Sequence, residues 1–327
     1  MRTGNTTMRA PGALALAAVG VLVLAGCGAG GNNMTLATGS TGGTYYPLGG
    51  EIAQLWSDNI DDVNVSTQAT GASVENLRLL DNGENELILA INGVAANAAN
   101  GESDFADEPL ANPDDVTLLG NVYPEVLQIV ATEDSGIESV ADLKGKRVDM
   151  GPPGSGTEVA ARQLLESQGW DPESDVEAFN STFEEATTKL SDGQVDAAVA
   201  ILAVPAASIE QVATGGTDIT MVEIAGEEAD QLMEDNPSYS TMEIPEGTYQ
   251  GQDQPVQTLT NWASLYSTSD LDEEVAHDLV QEMYEGADDI GHDVGDQLDA
   301  ETATESRGPT DLHPGAERYY EEAGVLD

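Results

Sequence analysis

Two loops rich in glycine and hydroxyl side chains constrain this chain more than any other feature of its sequence. The first spans residues 37–49 and the second spans residues 151–158. Each follows an apolar run that predicts a strand and precedes a pattern that predicts a helix. Because the turn exposes backbone N–H groups and a helix N-terminus carries about half a positive charge, each loop is a potential anion site. Two such loops facing one cleft would hold a small carboxylate without an arginine.

Strands and helices alternate along the rest of the chain. Apolar runs predict buried strands at 34–38, 63–68, 86–91, 116–119, 127–132, 147–150, 195–202 and 219–224. Apolar residues at helical spacing predict helices at 46–59, 73–80, 157–168, 183–190 and 272–288. This alternation predicts an α/β fold with mostly parallel sheets.

Two strands are predicted to cross between halves of the molecule. One crossing falls near residue 127, and an apolar run at 257–267 predicts the return. The expectation is a hinged, two-lobed α/β molecule. Its first lobe would comprise residues 34–126 and 258–327, and its second lobe would comprise residues 127–257.

The first 27 residues have the pattern of an export signal. Arg2 and Arg9 precede an apolar stretch at 12–24, and Leu-Ala-Gly-Cys at 24–27 resembles a lipobox. Cys27 would then be the lipidated first residue of the mature protein, and 28–33 would be a flexible tether. An ordinary buried thiol is the alternative for Cys27. We expect the mature protein on the extracytoplasmic face of the cell membrane, anchored by lipid.

The charge balance excludes one large class of partners. The chain has 60 acidic and 10 basic residues, a formal net charge of −50. The acids are dispersed along the sequence, and such a surface repels nucleic acid. Self-repulsion strains a compact fold at low salt, but at molar salt the Debye length falls to roughly 3 Å. The composition therefore predicts a halophilic protein.

Nothing in the sequence predicts an enzyme, a metal site or a cofactor. Cys27 is the single cysteine, and the three histidines (His277, His292 and His313) lack metal-ligand spacing. No G-x-S-x-G elbow marks a serine nucleophile. The second loop nearly spells a nucleotide-binding P-loop, but Thr157 replaces the phosphate-binding lysine and Glu158 replaces the magnesium-binding hydroxyl.

Six segments, in order, carry a family resemblance. Residues 38–50 read Thr-Gly-Ser-Thr-Gly-Gly-Thr-Tyr-Tyr-Pro-Leu-Gly-Gly, which resembles the N-terminal signature of TAXI-type solute-binding proteins, the extracytoplasmic receptors of TRAP transporters. Further matching segments lie at 70–77, 123–125, 142–148, 154–158 and 312–320. With its acidic surface, the chain is similar to a haloarchaeal member of this family.

The resemblance implies a two-lobed receptor of the periplasmic-binding-protein type II fold that closes on a small ligand and delivers it to a membrane permease. It implies a dicarboxylate, 2-oxoglutarate or a glutamate-like amino acid as the ligand. It also implies a site without a ligand-binding arginine, and neither loop contains one. A receptor for an ABC importer is the alternative within the class. An extracellular hydrolase is the alternative outside it, and would need a nucleophile or a metal.

The candidate ligand-binding residues come from the two loops and from predicted strand ends and helix starts. Asn92 stands where many relatives have the longer Gln, and Tyr123 is expected at the end of a strand, where open α/β sheets bind ligands. The full set is Ser40, Thr41, Thr44, Tyr45, Ser73, Asn76, Asn92, Tyr123, Ser155, Gly156, Thr157, Val204 and Pro205. For each, a structural turn or a core position is the alternative.

Overall fold

The computed structural model describes residues 32–326 of the 327. The expected signal segment and the lipidation residue Cys27 lie outside the described residues. The first strand begins at Asn32, so the last two residues of the expected tether belong to the sheet. Within 32–326, no helix is long and apolar enough to cross a membrane.

The strands follow the predicted alternation with helices. They are β1 (Asn32–Ala37), β2 (Val63–Gln68), β3 (Leu87–Ile91), β4 (Val116–Thr132), β5 (Arg147–Asp149), β6 (Glu177–Phe179), β7 (Ala197–Leu202), β8 (Ile219–Val222), β9 (Ser240–Ile244) and β10 (Val256–Thr268).

The helices flank the sheet. They are α1 (Tyr45–Asn59), α2 (Ser73–Asp81), α3 (Asn92–Asn100), α4 (Gly156–Ser167), α5 (Phe183–Ser191), α6 (Ala207–Thr214), α7 (Glu227–Asp235), α8 (Glu273–Glu285) and α9 (Pro314–Glu322).

The strands form one mixed sheet in the order β2-β1-β3-β10-β4-β7-β5-β6, with β8 paired to β4 and β9 to β10. Strands β1, β2 and β3 are parallel to one another, as are β5, β6 and β7. Strand β10 is antiparallel to both β3 and β4, and β4 is antiparallel to β7. The predicted α/β class is confirmed. The sheet is parallel only toward its two ends, because β4 and β10 run antiparallel to their neighbours between them.

Strand β4 is the largest departure from the predicted elements. It is one strand of 17 residues, where the sequence predicts two short strands at 116–119 and 127–132. Its partner β10 shifts register between Ala263 and Ser264 and again between Leu265 and Tyr266. Both predicted crossings fall in this β4–β10 pair, while the division into two lobes remains a prediction.

Buried apolar side chains lie on both faces of the sheet. Trp56 of α1 is fully buried, and its indole nitrogen donates to the Leu279 carbonyl of α8 at 2.8 Å. Helix α8 therefore returns the C-terminal part of the chain to α1. This packing holds the C-terminal half of α1 against α8.

Candidate functional site

The two glycine-rich loops line one small cavity of about 30 Å³. Seven of the candidate ligand-binding residues line it: Ser40, Thr44, Tyr45, Ser73, Ser155, Gly156 and Thr157. The structure thus brings together, across more than a hundred residues of chain, the two segments that the sequence singles out. Whether they bind a ligand is a separate question.

Four helices begin at this cavity. They are α1 at Tyr45, α2 at Ser73, α4 at Gly156 and α5 at Phe183, and each first residue lines the cavity wall. The first N–H groups of a helix have no acceptor within the helix, and the aligned peptide dipoles leave a partial positive charge there. The cavity therefore lies where four partial positive charges converge.

Some of the N–H groups of the second loop and the start of α4 make hydrogen bonds within that segment. Ser155 caps α4, since its hydroxyl accepts a hydrogen bond from the Glu158 N–H at 3.0 Å, and the Glu158 carboxylate accepts one from the Gly154 N–H at 2.7 Å. The N–H groups of Gly156 and Thr157 have no acceptor among the described residues. These two amides are the ones that this loop can offer to an anion.

A buried ionic cluster supports the second loop from behind. The Gly151 N–H donates to Asp149, whose carboxylate also accepts from the Ser181 hydroxyl and lies 3.9 Å from the Lys189 ammonium group. Asp149 is fully buried, and this burial raises the pKa of its carboxyl. The side chain of Asn180 adds a hydrogen bond to the Gly151 carbonyl at 3.1 Å.

Each loop is tied by hydrogen bonds to a neighbouring element at the cavity. The N–H groups of Val74 and Glu75, at the start of α2, donate to the Gly154 carbonyl of the second loop at 3.1 and 3.4 Å. The Ala203 N–H, which follows β7, donates to the Thr44 hydroxyl of the first loop at 3.3 Å. These contacts narrow the cavity between the two loops.

Glycine is required where the loops approach. A Cβ on Gly156 would overlap the Ile91 Cδ1 atom and lie 2.9 Å from the Ser73 hydroxyl. A Cβ on Gly71 would lie 2.8 Å from the Pro153 carbonyl oxygen. The next residue, Ala72, has a φ of +80°, which is unfavourable for a residue with a side chain and is typical of functional loops.

A buried carboxylate, Glu125 of β4, also lines the cavity and is 3% exposed. Its two oxygens each accept one phenolic hydroxyl, from Tyr45 at 2.9 Å and from Tyr123 at 3.0 Å. Burial raises the pKa of Glu125 to about 8, although both hydroxyls act to lower it. Burial also raises the pKa of each tyrosine well above its ordinary value, with the neighbouring carboxylate adding to the shift.

The cavity is otherwise poor in charge. Among the residues that the structure describes, no lysine, arginine or histidine lines it. The remaining wall is apolar or backbone, with the side chains of Ile91, Phe183, Ile201 and Leu202 facing the polar loops. In the described part of the chain, no group of three or more His, Cys, Asp or Glu residues could hold a metal ion.

Among the residues that line the cavity, Ser40 is the one with a buried side-chain polar atom that has no hydrogen-bond partner within 32–326. Its Oγ atom is shielded from solvent and makes no hydrogen bond within 32–326. A buried hydroxyl without a partner costs free energy, which a bound acceptor would recover. Ser40 is thus placed to contact whatever occupies the cavity.

Three candidate residues lie behind the cavity wall rather than on it. Asn76 donates to the carbonyls of Thr38 and Leu89 at 2.6 and 2.7 Å, and so ties α2 to the sheet. Asn92 donates to the Ser306 carbonyl at 2.6 Å. Tyr123 lies in the middle of β4 rather than at a strand end, and it contacts the cavity residues Glu125 and Tyr45 from behind the wall.

The other candidates outside the cavity lie near an adjoining cleft of about 380 Å³. Thr41 and Pro205 line this cleft, and the Thr41 hydroxyl donates to Glu184 at 3.4 Å. Val204 is partly buried against a hydrophobic cluster on the far side of β7. The cleft shares Gly43, Thr44 and Leu202 with the cavity and so adjoins its wall.

The sequence predictions missed Glu125, although the segment Tyr123-Pro124-Glu125 had been noted. One signal was available, since an acid interrupts an otherwise apolar stretch of strand there. This signal is weak because the chain has 60 acidic residues, and an acidic residue in such a sequence is expected at the surface. The apolar wall was missed for another reason: Ile91, Ile201 and Leu202 resemble ordinary core residues in sequence.

Comparison with known proteins gives a family and a fold. A family model described as the NMT1-like family matches residues 36–324. MatC from Rhodopseudomonas palustris, solved with bound malate, is 16% identical, with a TM-score of 0.56 over 90% of this chain and 97% of MatC.

Two further solved structures have the same fold. One, described as a periplasmic transporter, is 13% identical, with a TM-score of 0.52 over 90% of this chain and 94% of its own. A protein from Bordetella bronchiseptica RB50 is 17% identical, with a TM-score of 0.51 over 90% and 81% of the two chains. At these identities the similarity establishes the fold alone.

Proposed function

Because the chain belongs to the NMT1-like family, we propose that it is a solute-binding receptor that captures a small organic anion for a TRAP-type secondary transporter. One observation carries the proposal: two glycine-rich loops and four helix N-termini line one cavity. A dicarboxylate, 2-oxoglutarate or a glutamate-like amino acid is the proposed solute class. MatC, solved with malate, makes malate a sensible first probe.

The proposed binding contacts are amides and hydroxyls. The Gly156 and Thr157 N–H groups and the Ser40 hydroxyl are the free donors at the cavity. A hydrogen bond to a charged acceptor is worth about 1.5–3 kcal/mol, and micromolar affinity needs about 8 kcal/mol. Three or four such contacts, less the cost of ordering, reach that range.

Opening would follow from the contacts that narrow the cavity. The Gly154 carbonyl would leave the Val74 and Glu75 amides, and the two halves would separate about the long strands β4 and β10. The parts of the chain on either side of the predicted crossings, near residues 127 and 257, would then form the two lobes. Such hinge closure around a ligand is a common mode of domain motion.

The proposed location is the extracytoplasmic face of the membrane, with a lipid anchor at Cys27. A TRAP permease would be the membrane partner, as the six TAXI-like segments indicate. A gene neighbourhood with a large multi-spanning permease and no ATPase would support TRAP, and an adjacent ATPase would favour the ABC alternative.

A glycine substitution tests the site. Gly156→Ala places a methyl group against Ile91 and Ser73 and should keep the loops apart. Gly50→Ala is the matched control, because that position is helical and has no atom within 4 Å of the added carbon. The assay is thermal stabilisation in molar KCl by malate, succinate, 2-oxoglutarate and L-glutamate, with mass spectrometry of solutes released from the purified protein.

We expect at least one solute to stabilise the parent protein and the Gly50→Ala variant, and Gly156→Ala to lose that stabilisation while remaining folded. If Gly156→Ala binds the solute as well as the control does, the solute lies elsewhere and the proposed site is wrong. Turnover of any solute would revive the hydrolase alternative.

A further inference from the structure

The cavity contains one ionisable carboxyl group and, among the described residues, no basic group. Glu125 lines the wall, and its neighbours there are glycine, hydroxyl, phenol and hydrocarbon groups. The described basic residues with ion pairs make them elsewhere, as in Arg147–Asp196 and Arg162–Asp104. The cavity therefore offers a ligand partial positive charges at the helix N-termini and one carboxylate group.

The hydrogen bonds of Glu125 leave capacity for a ligand. An ionised carboxylate has about four acceptor positions, and the Tyr45 and Tyr123 hydroxyls occupy two of them. Each phenol also has a second hydroxyl beside it, Ser73 for Tyr45 and Thr44 for Tyr123. A ligand that donates hydrogen bonds can use the positions that remain.

Charge balance favours a ligand that carries both signs. A dicarboxylate would bring two negative charges beside Glu125 into a cavity without a basic side chain. Buried charge that is not paired is strongly unfavourable. An amino acid with an uncharged side chain has no net charge, and its carboxylate and ammonium groups match the helix ends and Glu125 respectively.

The rest of the wall favours a short apolar side chain. Ile91, Phe183, Ile201 and Leu202 supply hydrocarbon surface opposite the loops. No described lysine, arginine or histidine is available there for a second ligand carboxylate. The small size of the cavity also favours a compact ligand.

We propose that the solute is a small zwitterionic amino acid with an apolar side chain, whose ammonium group binds Glu125 and whose carboxylate binds the amides at the start of α4. This inference rests on the proposed receptor function and the proposed site, and it replaces the anionic solute with a zwitterionic one. Glu125 is thus the residue that selects for an amino group.

The test compares amino acids with their 2-oxo counterparts, which differ only where the ammonium group is replaced by a carbonyl. The probe pairs are L-alanine with pyruvate, L-valine with 3-methyl-2-oxobutanoate and L-glutamate with 2-oxoglutarate. Affinities are measured by calorimetry in molar KCl for the full mature protein, for Glu125→Gln and for Glu246→Gln. Glu246 is an exposed acid that controls for the loss of one charge.

We expect L-alanine or L-valine to bind at least 30-fold tighter than its oxo partner, because the loss of a partner from a buried charge pair has an effect of this size or more. Glu125→Gln should remove the preference, and Glu246→Gln should retain it. Equal or tighter binding of the oxo acids, an unaltered preference in Glu125→Gln, or no binding by either apolar pair would overturn the inference.

The pH dependence of the parent protein gives a second measurement that needs no variant. Affinity for the amino acid should rise between pH 6 and pH 8.5, as Glu125 ionises, and affinity for the oxo acid should fall. The groups that face Glu125 are Tyr45 on α1, Tyr123 on β4 and Tyr239 ahead of β9, and the pKa of each is raised. These phenols stay neutral over that range, so the response reports the carboxyl group. The reverse pH trend for the amino acid would also overturn the inference.

One result would refute this inference and leave the proposed function intact. In that result the protein binds dicarboxylates but not apolar amino acids, and Gly156→Ala loses the dicarboxylate binding. If no solute binding depends on Gly156, both the proposed function and this inference are refuted.

Discussion

Replacing Glu125 with glutamine should stabilise the unliganded protein by an amount that grows with pH. The buried carboxyl has a pKa of about 8 in the folded protein, against 4.5 for an ordinary glutamate. Below pH 4.5 the group is protonated in both the folded and unfolded chains, so it adds no penalty. Above pH 8 it is charged in both, and folding then buries a charge. The contribution of Glu125 to the free energy of unfolding therefore falls as the pH rises from 4.5 to about 8.

The size of the effect follows from the shift. Each pKa unit corresponds to about 1.36 kcal/mol, so a rise from 4.5 to about 8 gives a total of roughly 4–5 kcal/mol. Between pH 5 and pH 8, the free energy of unfolding of Glu125→Gln, minus that of the parent, should rise by about 1.4 kcal/mol per pH unit. The glutamine amide keeps the shape of the side chain and can still accept a hydroxyl from Tyr45 or Tyr123.

The assay is urea unfolding in molar KCl at pH 5, 6, 7 and 8, with the free energy obtained by linear extrapolation. The difference between the two proteins isolates Glu125, because the other acids titrate alike in both. Glu246→Gln, at an exposed acid, is the control for the loss of one charge. A flat difference for Glu125→Gln over the same range would mean that Glu125 is hydrated in the folded protein, and the electrostatic account of the cavity would be refuted.

Three other predictions concern the second loop, the charge and the anchor. The double variant Ser155→Ala with Thr157→Ala should lose thermal stabilisation by the solute, and should also lose about 1 kcal/mol of stability through the missing Ser155 cap. Unchanged solute stabilisation would remove these side chains from the site. Because the net charge is −50, the unfolding midpoint temperature should rise when the KCl concentration is increased from 0.2 to 3 M. A constant or falling midpoint temperature would contradict the halophilic interpretation. Cys27→Ala should release the exported protein from membranes on fractionation, and retention there would rule out a lipid anchor at that residue.

Most of the strands and helices near the site were predictable because their signals are local. Strand β2 has the predicted bounds, and α1, α2, α4 and α5 begin within one residue of the predicted starts. Each has an apolar face at the required period, preceded by glycine or a capping residue. Strands β6 and β9 were missed because they are short and only partly buried, so neither shows an apolar run. Helix α3 has mainly alanine and asparagine, which give no clear apolar stripe.

The interruption of β4 was predicted wrongly for a physical reason. Asn121, Pro124 and Glu125 predict a break, because buried strands rarely contain polar residues or proline. Pairing with β10 on one side and β7 on the other supplies the missing stabilisation. The polar side chains then find partners in other elements: Asn121 donates to the Thr302 and Glu305 carbonyls.

The sequence by itself determined the chemistry of the two loops, since a glycine-rich turn before a helix start has exposed amides wherever it lies in a fold. It also determined the α/β class, through the alternation of apolar periods. Only the tertiary structure decided that both loops line one cavity, that the side-chain amides of Asn76 and Asn92 bind backbone carbonyls, and that Glu125 is the buried acid in the cavity wall. Which side chains share a cavity depends on contacts between residues far apart in the chain, and those contacts leave no periodic mark in the sequence.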